Sequence, residues 1–129
     1  MDETLGNNDV DQLLSLRRRE QPGNIVCIEV AGELDMLTAP QLQSYLVAET
    51  ATDPRHLILD LSGVRFIASH GVAVLVAAHR NHADVHGQLH LVGVTGNTAV
   101  EQVLVVTGLH EVLRIYPDLD ALVALLNAW

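Results

Sequence analysis

The stretch from Arg55 to Ala78 most constrains how this chain can fold, because one short window contains the patterns of a strand, a turn and a helix. Residues 56–61 are almost continuously apolar, which is typical of a central strand covered on both faces. After the break at Ser62-Gly63, residues 64–67 return to apolar character, and residues 72–78 carry no charge. The window therefore predicts a buried strand followed by a helix that opens near Ser69.

The flanking sequence extends this unit into one α/β domain. The pair Pro22-Gly23 separates two alternating segments, residues 12–20 and 24–31, and so indicates an N-terminal β-hairpin. Alternating αβ units follow, with further helices expected after Thr38, Asn97 and Asp118 and further strands at residues 88–92 and 112–116. We expect a mixed sheet of about five strands with four helices, formed by residues 12–129 and preceded by a flexible acidic tail at residues 1–11.

The composition of the chain limits the partners, cross-links and cellular compartment that we expect. The formal net charge of −9 argues against nucleic acid and anionic membrane surfaces as partners. Cys27 is the only cysteine, so no internal disulfide can form. No apolar run is long enough to span a membrane, and the acidic N-terminus does not resemble a signal peptide, so we expect the cytoplasm.

Ser69 has two interpretations. As the N-cap of its helix, it would accept a hydrogen bond from a free amide of the first turn. Alternatively, it is a phosphorylation site, because a helix N-terminus offers free N–H donors and a favourable dipole to a phosphate. A phosphoserine there would be tolerated by its own domain but would repel or block a docked partner. Spacing alone does not choose between the two.

The helix after Ser69 is apolar on more than one side. Val72, Leu75, Val76 and His79 form the stripe expected to face the sheet, whereas Ala73, Val74 and Ala77 lie away from it. This second strip is either a docking surface for a partner or the contact with a neighbouring helix of the same domain.

The loop before the first helix combines a turn residue with a capping pattern. Asp35 is suited to accept hydrogen bonds from loop amides. Thr38 is followed three residues later by Gln41, which is a capping-box pattern with Thr38 as N-cap.

The remaining sequence patterns give little support for metal binding, phosphate binding or catalysis. His79, His82 and His86 recur at helical spacing, but only the last two lie four residues apart and no HExxH motif is present, so we expect no metal site. The loop at residues 93–96 lacks the GK[ST] ending of a P-loop, and there is no GxSxG motif. We therefore expect neither a cofactor nor catalysis.

Two motifs together resemble the STAS domain of anti-sigma factor antagonists. The first is Gly32-Glu33-Leu34-Asp35 with Thr38-Ala39, and the second runs from Leu59-Asp60-Leu61-Ser62-Gly63-Val64 through Phe66-Ile67-Ala68-Ser69-His70-Gly71-Val72. The resemblance extends from about residue 13 to residue 126 and includes the closing segment at residues 117–122. It implies a single STAS-like domain that binds other proteins and is not an enzyme.

In that family the loop usually reads Asp-Ser-(Ser/Thr)-Gly, and its first serine is phosphorylated by a partner that is both serine kinase and anti-sigma factor. The resemblance implies that this serine is Ser69, that the unmodified chain binds the anti-sigma factor and frees a sigma factor, and that a phosphatase reverses the modification. The chain departs from the pattern at Ala68, where the family has aspartate, and at His70, which replaces the second hydroxyl residue.

We therefore predict a cytoplasmic regulatory protein whose partner-binding residues are Asp35, Thr38, Ala68, Ser69, His70, Gly71, Ala73 and Val74. Two alternatives stay open. One is a STAS module of a stress-signalling or transporter-regulating assembly. The other is a small-ligand or metal-binding domain that uses the histidine helix or the loop at residues 93–96.

Overall fold

The computed structural model describes residues 13–84 and 88–128. Four strands and four α-helices lie in the described ranges. In chain order they are β1 (Leu14–Gln21), β2 (Ile25–Leu34), α1 (Ala39–Thr50), β3 (His56–Ile67), α2 (Ser69–Asp84), β4 (Gln88–Val92), α3 (Thr98–Val106) and α4 (Leu119–Leu126), with a 3₁₀ turn at Leu109–Glu111 before α4. The predicted tail at residues 1–11 lies outside the described residues.

The four strands form one mixed sheet in the order β1-β2-β3-β4. β1 and β2 are antiparallel, with Leu14 opposite Gly32 and Gln21 opposite Ile25. β3 runs parallel to both β2 and β4. The predicted hairpin and the alternating αβ units are thus confirmed, and the sheet has four strands where about five were expected.

Helices cover both faces of the sheet because its central strand is apolar on both sides. Leu57, Ile58 and Leu59 of β3 are all fully buried and alternate between two clusters. α1, α2 and α3 pack with Leu57 and Leu59 on one face, whereas α4 packs with Ile58 on the other. None of the helices that the structure describes has both the length and the hydropathy needed to cross a bilayer.

The predicted fifth strand is reduced to a single bridge between Leu91 and Ile115. The Leu91 amide donates to the Arg114 carbonyl at 2.7 Å, and the Tyr116 amide donates to the Leu91 carbonyl at 2.9 Å. The pairing cannot extend because the 3₁₀ turn precedes it and Pro117, which lacks an amide hydrogen, follows it.

Of the two helix-capping predictions, one is wrong and the other is right in position only: Thr38 is the N-cap of α1. The side chain of Thr38 makes no capping hydrogen bond, because its hydroxyl donates instead to the Glu33 carbonyl at 2.6 Å. Ser69 is the first residue of α2 rather than its cap. The Ala68 carbonyl accepts the first helical hydrogen bond, from the Val72 amide at 3.0 Å, so Ala68 occupies the N-cap position.

Candidate functional site

Ser69 lies at the carboxyl edge of the sheet, where β2 and β3 end side by side. β2 ends at Leu34 and β3 at Ile67, and these two residues are register partners. The Ala68 amide then donates to the Leu34 carbonyl at 2.8 Å, so β3 stays paired until one residue before the helix. Ser69 follows directly and is exposed to solvent. The serine is therefore held in place by the sheet without being covered by it.

The loop from β2 to α1 is closed by hydrogen bonds around one carboxylate. Asp35 Oδ1 accepts from the amides of Leu37 and Thr38 at 2.9 and 3.1 Å, and the Asp35 amide donates to the Thr38 hydroxyl at 3.0 Å. These donors, the Thr38 amide first, lower the pKa of Asp35 below its ordinary value. The predicted structural role of Asp35 is confirmed, and a direct role in docking stays a prediction.

Two residues predicted to touch a partner are instead buried inside the domain. Thr38 has no exposed surface, because its hydroxyl is used within the loop. Gly71 lies under the end of β2: a Cβ at this position would approach the Leu34 Cβ to 2.8 Å and the Leu34 carbonyl oxygen to 3.1 Å. The glycine in the first turn of α2 does allow a close approach, as expected, but the approaching surface belongs to the same chain.

Different residues of the second apolar strip of α2 support different interpretations of it. Val74 is only 7% exposed and packs in the main core with α1, as a contact with a neighbouring helix requires. Ala73 and His70, in contrast, are exposed, and Ala68 is half-buried. Ala73 and His70 border an open cleft of about 300 Å³ between α1 and α2, which is lined by Ala39, Pro40, Gln43, His70, Ala73, Val74 and Ala77.

Three large apolar side chains beside Ser69 were missed by the sequence analysis. Met36 and Leu37, in the loop after β2, are 63% and 62% exposed, and Phe66, at the end of β3, is 50% exposed. The signal was present in the paired apolar residues between Asp35 and Thr38, a position where a tight turn points side chains outward. We call the exposed residues of these adjoining segments, Met36, Leu37, Phe66, Ser69, His70 and Ala73, the Ser69 face.

The Ser69 face has little charge of its own. Arg65 and Glu33 beside it form an ion pair at 3.8 Å, in which the arginine is well exposed and the glutamate is partly exposed. An exposed pair of this kind contributes little to stability. The face therefore combines exposed apolar groups with one hydroxyl and one imidazole, a composition suited to docking a protein surface.

The structure gives little support to the two alternative binding sites, the histidine helix and the loop at residues 93–96. Across residues 13–84 and 88–128, no three His, Cys, Asp or Glu side chains are grouped as metal ligands. His86 lies outside the described residues, as does the side chain of His82. The loop at residues 93–96 borders an open polar cleft of about 400 Å³, but the side-chain amide of Asn97 donates to the carbonyls of Leu61 and Val64 at 2.9 and 3.0 Å. That amide joins α3 to β3 and is not free for a ligand.

Comparisons with known proteins agree with one another. The sequence model of the STAS domain matches residues 17–122. The chain is 30% identical over 100 residues to the anti-sigma-F factor antagonist RsfB of Mycobacterium tuberculosis. The aligned residues cover 76% of this chain and 79% of that protein. It is 28% identical over 102 residues to the anti-sigma-B factor antagonist of Listeria monocytogenes, and the aligned residues cover 79% of this chain and 88% of that protein.

The fold is also shared with solved structures. The crystal structure of an anti-sigma factor antagonist from Mycobacterium paratuberculosis superposes with a TM-score of 0.75 at 30% identity, covering 84% of this chain and 89% of that one. The mixed sheet with helices on both faces is therefore an architecture already observed by crystallography.

Proposed function

The chain belongs to the STAS-domain family, and from that premise we propose that it is an anti-sigma factor antagonist whose Ser69 face binds an anti-sigma factor. Binding would occupy the anti-sigma factor and release a sigma factor. The chain would act as a regulatory binding protein in the cytoplasm and not as an enzyme. Its relatives in Mycobacterium tuberculosis and Listeria monocytogenes are named for antagonism of this kind.

The observation that carries the proposal is the position of one exposed hydroxyl within an exposed apolar surface. Ser69 is the first residue of α2, and the nearest chain segments present Met36, Leu37 and Phe66 to solvent. Apolar side chains of this size are the groups that contribute most to protein–protein association when they are buried. The cleft between α1 and α2 continues this surface past His70 and Ala73.

Phosphorylation of Ser69 gives the surface a switch. A phosphate on the first residue of a helix lies close to the free amides of the first turn and to the positive end of the helix dipole, so the domain itself tolerates it. The same two negative charges would have to lose their hydration when an apolar partner covers the face. We propose that a kinase activity of the anti-sigma factor adds the phosphate and ends binding, and that a phosphatase removes it.

The test is a direct affinity measurement with the anti-sigma factors encoded in the same genome. We expect Ser69→Ala to bind within about twofold of the wild-type chain and Ser69→Glu to bind at least about tenfold more weakly, a loss of about 1.4 kcal/mol. Ala121→Glu is the matched control, because Ala121 is exposed on α4, on the opposite face of the sheet. Equal affinities for Ser69→Ala and Ser69→Glu would remove the switch, and no binding by any of the chains would remove the proposed function.

A further inference from the structure

A pair of histidines, one buried and one partly buried, joins β4 to β3 on the face of the sheet that α4 covers. His90 Nε2 lies 3.1 Å from His56 Nδ1, within hydrogen-bond distance, and the two ring centroids are 5.1 Å apart. His90 is only 1% exposed, and the edge of its ring contacts Tyr116. Nothing in the proposed function uses these rings.

The hydrogen bond between the two rings can form when both imidazoles are neutral. One ring must donate an N–H to the lone pair of the other, and if both rings are protonated two N–H groups face each other across 3.1 Å. Whichever ring donates, His90 Nδ1 is buried without a hydrogen-bond partner among the described residues. A charge on His90 would therefore be both dehydrated and poorly paired.

The charged groups around His90 also oppose its protonation. Arg114, from the segment after the 3₁₀ turn, acts on His90 as a like charge, and Arg55 acts on His56 in the same way. Tyr116 contributes a neutral ring. Asp60 is the carboxylate that lies further along this face of β3, and its Oδ1 accepts from the Ser62 amide. The side chains that α4 packs into this cluster are apolar: Leu119, Leu122, Val123 and Leu126.

The segment beside His90 is held to the sheet by few contacts. The hydrogen bonds of Leu91 with Arg114 and Tyr116 are its only pairing with β4 in the part of the chain that the structure describes. Arg114 Nη1 is itself buried and has no hydrogen-bond partner within residues 13–84 and 88–128. This segment leads directly into α4, whose Leu122 packs in one cluster with Cys27. Loosening it would uncover that cluster.

We propose that the His56–His90 pair is a proton-sensitive latch, which holds the segment at residues 114–116 and α4 against the sheet at neutral pH and releases them on acidification. Protonation of one ring would place a poorly hydrated charge near an arginine, and protonation of both would also replace the hydrogen bond between the rings with two facing N–H groups. The weakly paired segment would be the first to move. β3 and the core beneath α1, α2 and α3 would stay folded. The latch acts independently of Ser69.

Cys27 is a natural reporter of this opening, because it is fully buried beneath α4 and is the only cysteine in the chain. The experiment measures its rate of reaction with 4,4′-dithiodipyridine from about pH 7.5 to about pH 5, divided at each pH by the rate for the chain unfolded in urea. We expect the normalised rate of the wild-type chain to rise at least about tenfold as the pH falls.

His90→Phe is the diagnostic variant, since phenylalanine keeps the ring contact with Tyr116 but cannot be charged. We expect its normalised rate to change by less than about threefold over the same range. His70→Asn, which removes an exposed histidine on the other side of the molecule, should behave as the wild type does. A wild-type rate that does not change with pH would overturn the latch, and so would a His90→Phe variant that keeps the wild-type dependence.

Amide hydrogen exchange of the wild-type chain separates local opening from global unfolding and needs no variant. We expect the Leu91 and Tyr116 amides to be less protected than that of Leu59 in β3 at about pH 5, because local opening exposes the first two amides and only global unfolding exposes the third. Equal protection factors at all three amides would mean that they exchange only when the whole domain unfolds, and this would overturn the proposal.

Discussion

The amide of Ala68 donates a hydrogen bond to the carbonyl of Leu34 at 2.8 Å, and this contact holds the start of α2 against the end of β2. Leu34 is completely buried, so its carbonyl is a fixed point of the sheet. The loop that begins at Asp35 and the helix that begins at Ser69 therefore leave the sheet side by side. One backbone hydrogen bond positions the two halves of the Ser69 face relative to each other.

Replacing Gly71 should test how closely that junction is packed. A methyl group at this position would lie 2.8 Å from the Cβ of Leu34, which is rigid because Leu34 is buried. Although alanine favours helices, we expect Gly71→Ala to lower the free energy of unfolding by about 1–3 kcal/mol through overpacking. Denaturant unfolding measures this. Ala73→Gly, at an exposed position of the same helix, is the control and should cost at most about 1 kcal/mol. An unchanged or stabilised Gly71→Ala variant would contradict the packing described for Leu34.

The hydrogen bonds of Asp35 predict that its carboxylate stabilises the loop only while ionised. Its pKa is lowered in the folded chain, so the stabilisation is present above the ordinary carboxylate range and is lost as the pH falls through the lowered pKa. We expect Asp35→Ala to reduce stability at neutral pH and to be closest to wild type at the acid end of the titration. Thermal unfolding against pH checks this. Asp53→Ala is the control, and if it shows the same pH dependence the effect does not belong to Asp35.

Periodicity predicted the elements well because this sheet has strongly apolar strands. The apolar run of β3 and the alternation along β2 agree with the observed burial, in which Ile25 and Cys27 lie in one cluster and Val26, Ile28 and Val30 in the other. The short pairing at Ile115 was overestimated as a strand, since local composition does not show how few partners the segment has.

The site was harder to predict because burial at its edge depends on tertiary contacts. Ser69 was placed at the start of a helix from its neighbours alone, but Thr38 and Gly71 were expected at the surface, and both are buried. Thr38 is buried because its hydroxyl donates a hydrogen bond to the Glu33 carbonyl, and Gly71 is buried because Leu34 packs against it. A sequence does not show such contacts directly. The exposure of Met36 and Phe66 has the same origin.

The apolar part of the Ser69 face should contribute to binding but not to folding. Leu37 and Phe66 are half exposed or more, so their replacement by serine removes little core packing. If the proposed function is correct, Leu37→Ser and Phe66→Ser should each weaken anti-sigma factor binding by about 1–3 kcal/mol while changing the free energy of unfolding by less than about 0.5 kcal/mol. Isothermal calorimetry and denaturant unfolding give the two values. Val106→Ser, at a more exposed position on α3, is the control, and a loss of binding there as large as at Leu37 would argue against a localised face.

The buried histidine pair predicts that global stability falls on mild acidification. Burial, with the nearby charges of His56 and Arg114, lowers the pKa of His90 to about 4. Because the unfolded chain takes up this proton near pH 6.5, stability is complete above that value and declines as the pH falls from there toward about 4. We expect a loss of about 2 kcal/mol between about pH 7.5 and pH 5, which His90→Phe should largely remove. Equilibrium urea unfolding at both pH values provides the measurement, and equal losses in the two chains would assign the effect to other groups.

Ala68 is the departure from the family pattern with the clearest physical consequence. It occupies the N-cap position of α2, because its carbonyl accepts from the Val72 amide, yet a methyl side chain cannot accept from the amides of the first turn. An aspartate there would do so, and those are the amides that a phosphate on Ser69 would approach. Substitution at this position should therefore change both the stability of the helix and the environment of the modified serine.

We expect Ala68→Asp and Ala68→Asn each to raise the free energy of unfolding by about 1 kcal/mol, because both side chains are good N-caps. Only the aspartate adds a charge beside Ser69. If the proposed function is correct, only Ala68→Asp should therefore change the rate of Ser69 phosphorylation by the anti-sigma factor kinase, as a comparison of the initial rates of the wild type and the two variants would show. Two variants with unchanged stability would mean that Ala68 is not the cap. If both variants are stabilised and both change the rate equally, the capping hydrogen bond rather than the charge governs access to Ser69, and the family's aspartate would then act through the geometry of the helix.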